Sequence, residues 1–361
     1  MSGIRNDMTR TGGNGAFVMK AMVLRAPNTP FEMAEVPDPT PGPGEAVARV
    51  ITCGAGLTIQ HAKAGRRKID FPRIIGHEIT GEIVEVGAGV SALKVGDGVT
   101  AYFYLNCGHC RHCLTMREPL CTDQGGNVGL ECDGGYAEYI KLPAHIFIKY
   151  PEGLDYKKHP AEMGVITDAL ATPYKVLNRA KVKGGETVAV IGAGGGVGIH
   201  QVMMAKWANA RVIAVDTAAD KAAACRKAGA DEVVNPRETD MAAALRDLTH
   251  GDGVDVVIDY VSSAATLEAG LKALNQSGRL VILGGAAQTF QAPGRDMLTK
   301  EQAILGSRYV TRAEILEACD VVARGEVWPL VTELRPLREA EAVHELVERG
   351  AVTGRAVLRV A

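Results

Sequence analysis

The stretch Glu186-Thr-Val-Ala-Val-Ile-Gly-Ala-Gly-Gly-Gly-Val-Gly198 decides the fold of this chain. Its four consecutive apolar residues, 188–191, predict a strand buried on both faces, because a strand with one face in water alternates apolar and polar residues. Gly192, Gly195 and Gly198 follow at intervals of three residues, and the apolar positions after them recur at helical spacing. The stretch therefore predicts a strand, a turn without side chains and the N-terminus of a helix.

Such a turn lets backbone N–H groups approach a pyrophosphate, which the dipole of the following helix stabilises. The glycine spacing is one residue longer than the strict G-x-G-x-x-G pattern, and glycine turns between strand and helix are common. The next predicted strand, 212–216, adds to the signal because it ends in Asp216, where a dinucleotide-binding fold has its acceptor for the ribose hydroxyls. The alternative for Asp216 is a cap of the helix that contains Lys221.

Asp216 is followed by Thr217 rather than by an arginine that could bind a 2′-phosphate, which favours NAD over NADP. The candidate cofactor-binding residues are Gly192, Gly195, Gly196, Val197, Gly198, Asp216 and Lys221.

The composition is that of a globular α/β protein. The chain has 361 residues, a formal net charge of −2, 47% hydrophobic residues and 5% aromatic residues. This length predicts two domains, and the charge gives no indication of nucleic-acid binding. No apolar run reaches the roughly 18 residues of a membrane span, and 1–18 lacks the apolar segment of a secretory signal. We interpret 1–18 as a flexible lead and expect a cytoplasmic protein.

Two patterns divide the rest of the chain. From Met19 to about 160, short strands interrupted by Pro and Gly predict a mostly β domain. From 161 to 311, strands and helices alternate, which predicts an α/β domain with a doubly wound parallel sheet. Residues 312–361 contain two helical segments and a last strand that we expect to return to the first domain. The predicted strands of the parallel sheet are 188–191, 212–216, 232–235, 255–259, 279–283 and 303–305.

Four of the eight cysteines lie within fifteen residues, at the spacing C-x2-C-x2-C-x7-C. They are Cys107, Cys110, Cys113 and Cys121. Four thiolates can close a tetrahedron around Zn²⁺ and leave no open position for a substrate, so we predict one structural zinc. Cysteines at this spacing indicate a metal site in a reducing compartment rather than a disulfide framework. We interpret His109 and His112, which fall between the ligands, as solvated.

Several further motifs occur in one order along the chain. They are Pro41-Gly-Pro-Gly-Glu, Gly76-His-Glu78, Gly96-Asp-Gly-Val, the cysteine cluster, Asp133-Gly-Gly-Tyr-Ala-Glu-Tyr139, the glycine turn and Gly306-Ser307. With these motifs the chain resembles the zinc-type medium-chain alcohol dehydrogenase family from Met19 onward. The resemblance implies a GroES-like substrate domain, a Rossmann domain that binds NAD(H), a cleft between them and hydride transfer to or from an alcohol or carbonyl. It also implies a homodimer or homotetramer.

The chain departs from that family at the catalytic-zinc positions. Where the family reads C-G-x-C-x-[ST]-D-x-H, this chain has Gly56 in place of the ligand cysteine and Ile59 in place of the aspartate that orients the ligand histidine. His77 and Glu78 are retained, and Asp168 replaces the later ligand cysteine. Because only His77, Asp168 and, as a possible third ligand, Glu78 remain, we expect this second site to bind zinc weakly or not at all. The segment around Asp168 partially resembles the branch that acts on cyclohexene-carbonyl-CoA thioesters.

Thr58 and His61 match the family's proton relay, in which a hydroxyl passes the substrate's proton through the cofactor ribose to a histidine near solvent. Hydride transfer to a carbonyl requires such a path because it leaves an alkoxide that must be protonated. A histidine with its usual pKa of about 6.5 suits the outer end of the relay, and the alternative is an exposed loop histidine. The candidate catalytic residues are Thr58, His61, His77 and Asp168.

A basic run follows the relay and consists of Lys63, Arg66, Arg67, Lys68 and Arg73. Such a run is usually a solvated loop, but it could steer an anionic substrate such as a CoA thioester.

Three functions remain open from the sequence. The first is an NAD-dependent oxidoreductase for an alcohol or carbonyl, including alicyclic or acyl-CoA-linked substrates. The second is conjugate (1,4) reduction of an α,β-unsaturated carbonyl, in which hydrogen bonds stabilise the enolate and less Lewis acid is needed. The third is an NAD(H)-binding redox sensor or structural protein without turnover.

Overall fold

The computed structural model describes residues 17–285 and 288–361. Its strands are β1 (Val18–Leu24), β2 (Glu32–Pro37), β3 (Glu45–Ala55), β4 (Arg73–Ile74), β5 (Glu78–Val86), β6 (Gly98–Ala101), β7 (Tyr139–Pro143), β8 (Phe147–Lys149), β9 (Thr187–Ile191), β10 (Arg211–Val215), β11 (Glu232–Val234), β12 (Val254–Asp259), β13 (Leu274–Ile282), β14 (Ala303–Gly306), β15 (Val331–Pro336) and β16 (Arg355–Arg359).

Its helices are α1 (Leu57–Lys63), α2 (Arg111–Leu114), α3 (Pro160–Val165), α4 (Ala171–Ala180), α5 (Gly198–Trp207), α6 (Ala222–Lys227), α7 (Met241–Asp247), α8 (Ala264–Ala273), α9 (Gly294–Thr299), α10 (Arg312–Ala323) and α11 (Ala340–Glu348). A π-helical turn, Ile166–Leu170, joins α3 to α4. Single 3₁₀ turns lie at Glu118–Leu120, Ala144–Ile146, Ala219–Lys221 and Leu337–Glu339.

The chain forms two compact units. Within the described residues, the first unit comprises 17–167, Thr311–Arg324 and Val331–Ala361. The second unit comprises Asp168–Val310 and Gly325–Leu330.

The second unit is built on a parallel sheet with the strand order β11-β10-β9-β12-β13-β14. This is the doubly wound order of dinucleotide-binding folds, with β9 and β12 adjacent at the point where the strand order reverses. Val188, Ala189 and Val190 of β9 are fully buried, because β10 and β12 flank the strand and both sheet faces are covered. The sheet confirms the predicted fold and all six predicted strands.

Helix–sheet packing closes one face of this sheet. Leu245 of α7 and Leu271 of α8 pack with Ile213, Val257 and Leu280 in one buried cluster. Burying side chains of this size contributes about 1.5–3 kcal/mol each, which makes this cluster a main source of stability for the unit.

The first unit contains a seven-stranded sheet with the path β15-β16-β3-β5-β6-β8, and β7 pairs with β3 off that path. The long strand β3 is its centre, since it pairs antiparallel with β5, β7 and β16. Two register shifts along the pairing of β3 with β5 bend the sheet. A second sheet has the order β2-β1-β4. The pairing of β16 with β3 confirms that the last strand returns to the first part of the chain.

The N-terminal prediction is only partly within the described residues. Of the predicted lead 1–18, residues 1–16 lie outside them, and Val18 already begins β1. In the described part of the chain, every helix is too short or too polar to cross a bilayer.

Candidate active site

The glycine turn after β9 brings the start of α5 against the end of the strand. A Cβ at Gly198 would lie 2.0 Å from the carbonyl oxygen of Gly192, so only glycine fits there. A Cβ at Gly194 would meet the Lys221 side chain at 2.5 Å and the Asp216 carboxylate at 3.0 Å. Gly194 was missed in the sequence analysis, which followed the three-residue spacing. Its position two residues after Gly192, the G-x-G half of the standard pattern, would have indicated it.

The first turn of α5 suits an anion. It contains no acidic residue, and α5 runs for ten residues, so its N-terminal N–H groups and dipole favour a phosphate. Gly195, Gly196 and Val197 directly precede the helix. The α5 residues that share the strand-facing side with Gly198, namely Val202 and Ala205, are fully buried.

Asp216 stands directly after β10, beside the glycine turn. Its Oδ2 accepts a hydrogen bond from the Gly194 N–H at 2.7 Å, and its Oδ1 accepts one from the Ala218 N–H at 3.0 Å. These bonds fix the carboxylate and leave lone pairs for further donors. The alternative interpretation, a helix cap, does not describe the structure, because α6 begins after Lys221 with no side-chain cap. Lys221 itself is buried next to Gly194.

The four predicted cysteines lie together in the first unit. Their sulfur atoms are 3.6 to 3.9 Å apart in the four contacts Cys107–Cys113, Cys110–Cys113, Cys110–Cys121 and Cys107–Cys121. Four thiolates bound to zinc at about 2.3 Å in a tetrahedron have sulfur–sulfur distances of about 3.8 Å. The geometry therefore fits Zn²⁺.

The surroundings of these sulfurs fit a metal as well. Backbone N–H groups of Cys113 and Thr122 lower the pKa of the Cys110 thiol to about 5, which favours a thiolate there, whereas burial raises the pKa of the neighbouring Cys113 thiol to about 12. The N–H groups of Cys107 and Cys110 also point at sulfurs of the cluster. His109 is exposed; its Nδ1 bonds the Cys107 carbonyl at 2.9 Å and its Nε2 lies 3.7 Å from Asp123, which agrees with a solvated residue.

The altered zinc position of the family lies at the junction of β3 and α1. Gly56 is the residue before α1, and a Cβ there would lie 3.0 to 3.1 Å from the guanidinium of Arg355. Arg355 is bonded in turn to Glu78: its Nε donates to Oε2 at 3.1 Å, and its Nη2 donates to Oε1. Both side chains are buried, where an unpaired charge would be strongly destabilising, and each neutralises the charge of the other. Arg355 was not singled out in the sequence, and nothing local indicates it, since it pairs with a residue 277 positions away.

His77, Asp168 and Ile59 complete the positions that the family comparison singled out. His77 is buried, and its ring packs against that of Phe103 with centroids 4.6 Å apart and a tilt of 48° between the ring planes. Ile59 is fully buried in α1. Asp168 lies in the π-helical turn at the start of the second unit, is half-buried, and accepts a hydrogen bond from the Thr172 hydroxyl at 3.1 Å. Asp168 is therefore a partly buried carboxylate with a hydrogen-bond donor one helical turn away.

Thr58 and His61 lie three residues apart on α1 and so on the same side of that helix. Thr58 is half-buried and His61 is exposed. Arg66 donates from its Nε to Nδ1 of His61 at 2.8 Å. The exposed ring is still desolvated on the side that faces the protein; this desolvation, followed by the charge of Arg66, lowers the pKa of His61 below its usual value, and Glu348 opposes the shift.

Four of the five cations in the basic run form ion pairs with carboxylates. The ion pairs are Lys63–Glu341 at 2.8 Å, Arg66–Glu348 at 2.6 Å, Arg67–Glu131 at 3.3 Å and Arg73–Asp133 at 3.1 Å. An unpaired cluster of cations would attract phosphates, whereas paired cations present little net field. The arrangement favours the interpretation as a solvated loop over steering of an anionic substrate.

Comparisons with known proteins agree with this fold and these sites. Residues 42–152 match the family described as alcohol dehydrogenase GroES-like domain, and residues 196–324 match that described as zinc-binding dehydrogenase. The chain is 36% identical over 345 residues to an alcohol dehydrogenase of Geobacillus stearothermophilus, covering 95% of this chain and 100% of that protein.

Two solved structures are similar over nearly the whole chain. The crystal structure of AibC is 35% identical, with a TM-score of 0.87 and coverage of 97% of this chain and 98% of AibC. The structure of an NAD-dependent alcohol dehydrogenase is 31% identical, with a TM-score of 0.86 and coverage of 95% and 100%.

The fold and the two sites define a dehydrogenase with a GroES-like and a Rossmann unit. The chain belongs to the zinc-type medium-chain alcohol dehydrogenase family. It is an oxidoreductase that uses NAD and acts on alcohol or carbonyl substrates, and zinc is among its cofactors.

Proposed function

We propose that the chain transfers a hydride between NAD(H), preferred over NADP(H), and an uncharged alcohol or carbonyl, with Thr58 and His61 moving the proton. We further propose that the catalytic-zinc position of the family holds zinc weakly or not at all. The observation that carries this second part is the Arg355 guanidinium, which lies against Gly56 and bonds both oxygens of Glu78.

Preference for NAD(H) follows from Asp216. Its carboxylate stands at the end of β10 and is held by two backbone N–H groups, which aim it beside the glycine turn. A carboxylate in this place accepts bonds from ribose hydroxyls and repels a 2′-phosphate. A zinc ion held by the four cysteines would supply no chemistry for the reaction, because its coordination shell is closed.

Weak binding at the second zinc position follows from its surroundings in the first unit. A thiolate at residue 56 is absent, and a cation from the chain itself already neutralises Glu78. Ile59 provides no hydrogen-bond acceptor for a ligand histidine. A zinc ion would therefore have to bind next to a guanidinium, which adds like-charge repulsion to the loss of a strong ligand.

In this proposal, Thr58 and His61 of α1 carry out the proton transfer. In alcohol oxidation the hydride leaves with two electrons to NAD⁺, and the hydroxyl proton must go to a base. The Thr58 hydroxyl can accept a hydrogen bond from the substrate hydroxyl and donate its own hydrogen onward. His61, at the exposed end of the same side of α1, can pass a proton to solvent. In carbonyl reduction the same groups act in reverse.

Conjugate reduction of an enone is a second candidate. The altered zinc position favours it, because an enolate that forms after hydride addition at the β-carbon can be stabilised by hydrogen bonds without a strong Lewis acid. The proton that completes that reaction is added at the α-carbon, so the relay residues would act only on the enolate oxygen.

A turnover assay with NADH and NADPH over matched ketones, enones, their alcohols and acyl-CoA enones separates these functions. We expect NADH-dependent reduction of ketones that falls at least about tenfold in a Thr58→Val variant, since general acid catalysis contributes about 10²–10⁴-fold. Saturated ketones formed from enones would support conjugate reduction instead. Faster turnover with NADPH, or only with CoA thioesters, would contradict the proposal.

A further inference from the structure

The turn after α1 folds Arg66 back onto His61. The backbone carbonyl of His61 accepts hydrogen bonds from the N–H groups of Arg66, at 2.8 Å, and Arg67, at 3.0 Å. This closes the helix end and places the Arg66 side chain beside the imidazole. The neighbouring Arg67 uses its side chain elsewhere, on Glu131.

The guanidinium of Arg66 makes three directed contacts. Its Nε donates to Nδ1 of His61 at 2.8 Å, and its Nη1 and Nη2 donate to the two carboxylate oxygens of Glu348 at 2.6 Å each. An arginine has only donors and stays protonated, so Nδ1 of His61 must be the acceptor in this contact. The neutral imidazole therefore carries its proton on Nε2.

Glu348 is held from the protein interior by a chain of hydrogen bonds. Its Oε2 accepts from Nε2 of the buried Gln60 at 2.7 Å, and Oε1 of Gln60 lies 2.7 Å from Nδ1 of His344. Nε2 of His344 lies 2.9 Å from the Tyr136 hydroxyl. Gln60, His344 and Tyr136 are all buried.

The Glu348 carboxylate determines which atoms donate and which accept along this series of hydrogen bonds. Because the Glu348 carboxylate only accepts, Gln60 must present its amide NH₂ to it and its carbonyl oxygen to His344. His344 then donates from Nδ1 and accepts from the Tyr136 hydroxyl at Nε2, which is the neutral form. Burial agrees, since it lowers the pKa of His344 to about 3. The Arg66–Glu348 pair is exposed, but its bidentate geometry and this buried support distinguish it from an ordinary surface pair.

We propose that Arg66 is a positioning residue for the proton relay: clamped by Glu348, it fixes the Nε2–H tautomer of His61 and hinders proton uptake at Nδ1. This inference rests on the proposed role of His61. When His61 takes a proton in alcohol oxidation, Nδ1 is the nitrogen with the free electron pair, so the Nε–H of Arg66 must first move away. The resulting imidazolium then lies beside a guanidinium, and the Glu348 carboxylate compensates both charges.

The sign of the pH dependence follows from these contacts. Alcohol oxidation needs neutral His61, so the rate falls as pH decreases through the pKa of that residue. Arg66 lowers this pKa, and its removal must move the fall in rate to higher pH. The other cations near α1, Lys63 and Arg67, are paired with Glu341 and Glu131 and remain in place.

The test compares Arg66→Gln and Arg66→Lys with Arg67→Gln in the full-length enzyme. Arg67→Gln is the matched control, because it removes a neighbouring paired cation that does not bond the imidazole. The readouts are the His61 titration by ¹H–¹⁵N NMR and the pH dependence of kcat/KM for alcohol oxidation. For Arg66→Gln we expect the acidic limb to move to higher pH, so that the rate at about pH 6 relative to about pH 8 falls roughly threefold or more. Arg66→Lys, which keeps the charge, should give a smaller change.

Two outcomes separate this inference from the proposed function. If Arg66→Gln and Arg67→Gln leave the His61 titration and the acidic limb equally unchanged, the inference is wrong. If His61→Gln itself leaves rate and pH profile unchanged, the relay assignment fails, and the NMR tautomer of His61 still tests the contact with Arg66.

Discussion

The cysteine cluster and the region around His77 both lie in the first unit and both occupy zinc positions of the family, yet they differ in what surrounds the ligands. At the cluster, four sulfurs approach one another at 3.6 to 3.9 Å and no cationic side chain bonds them among the described contacts. Near His77, a guanidinium bonds both oxygens of Glu78 and lies against Gly56. This difference is the reason why we propose a full zinc at the cluster and weak zinc binding, or none, near His77, where Arg355 already neutralises Glu78.

Breaking the cluster should have the largest effect. We expect Cys113→Ser to remove the structural zinc and most of the soluble, folded protein, because apparent zinc binding free energies at such sites are about 10–16 kcal/mol and stabilise the folded state directly. Cys132→Ser, a half-buried cysteine outside the cluster, is the control and should keep its zinc. Zinc content and thermal unfolding measure both. A folded Cys113→Ser protein with full zinc would contradict a four-thiolate site.

Removal of the Arg355–Glu78 ion pair should have the second-largest effect on stability. Arg355→Gln removes the cation that neutralises the buried Glu78, which we expect to lower the free energy of unfolding by about 3–5 kcal/mol. Arg279→Gln is the control, since its pair with Glu186 is more exposed and should cost less. Urea unfolding measures both, and the Glu78→Gln/Arg355→Gln double variant should recover part of the loss. Equal losses of unfolding free energy in the two single variants would contradict the larger contribution that we expect from the buried Arg355–Glu78 pair.

The glycine turn after β9 extends the comparison, because it retains the carboxylate of Asp216 that we expect to bind the cofactor ribose. Asp216→Ser should weaken NADH binding about 10- to 100-fold, since charge-assisted hydrogen bonds contribute about 1.5–3 kcal/mol, and should improve NADPH relative to NADH. Asp220→Ser, an exposed acid on the same connection, should change neither. Fluorescence titration gives both dissociation constants. Unchanged selectivity in Asp216→Ser would remove the carboxylate from cofactor recognition.

These outcomes also show how far the sequence could predict the molecule. The six strands and the cysteine cluster were predictable because their signals are local: apolar runs between glycines, and four thiols within fifteen residues. Arg355 and the chain from Glu348 to Tyr136 were not, since each contact joins residues that are hundreds of positions apart. Gly194 was missed for another reason: the prediction followed glycines three residues apart, although the G-x-G spacing from Gly192 pointed to Gly194.

The smallest effect should come from the basic run. We expect Arg73→Gln to change KM for a CoA thioester by less than about twofold relative to its uncharged analogue, because Asp133 already neutralises Arg73 and exposed pairs contribute about 0–1 kcal/mol. Steady-state kinetics at low and high salt measure this. A large, salt-sensitive increase in KM for the thioester alone would restore the steering interpretation.

Metal analysis combined with anomalous diffraction at the zinc edge tests the central contrast most directly. The contrast between the two positions predicts one full-occupancy zinc per chain, at Cys107, Cys110, Cys113 and Cys121, and at most a weak peak elsewhere. A second full-occupancy zinc with His77 among its ligands, in protein whose Arg355 still bonds Glu78, would contradict it.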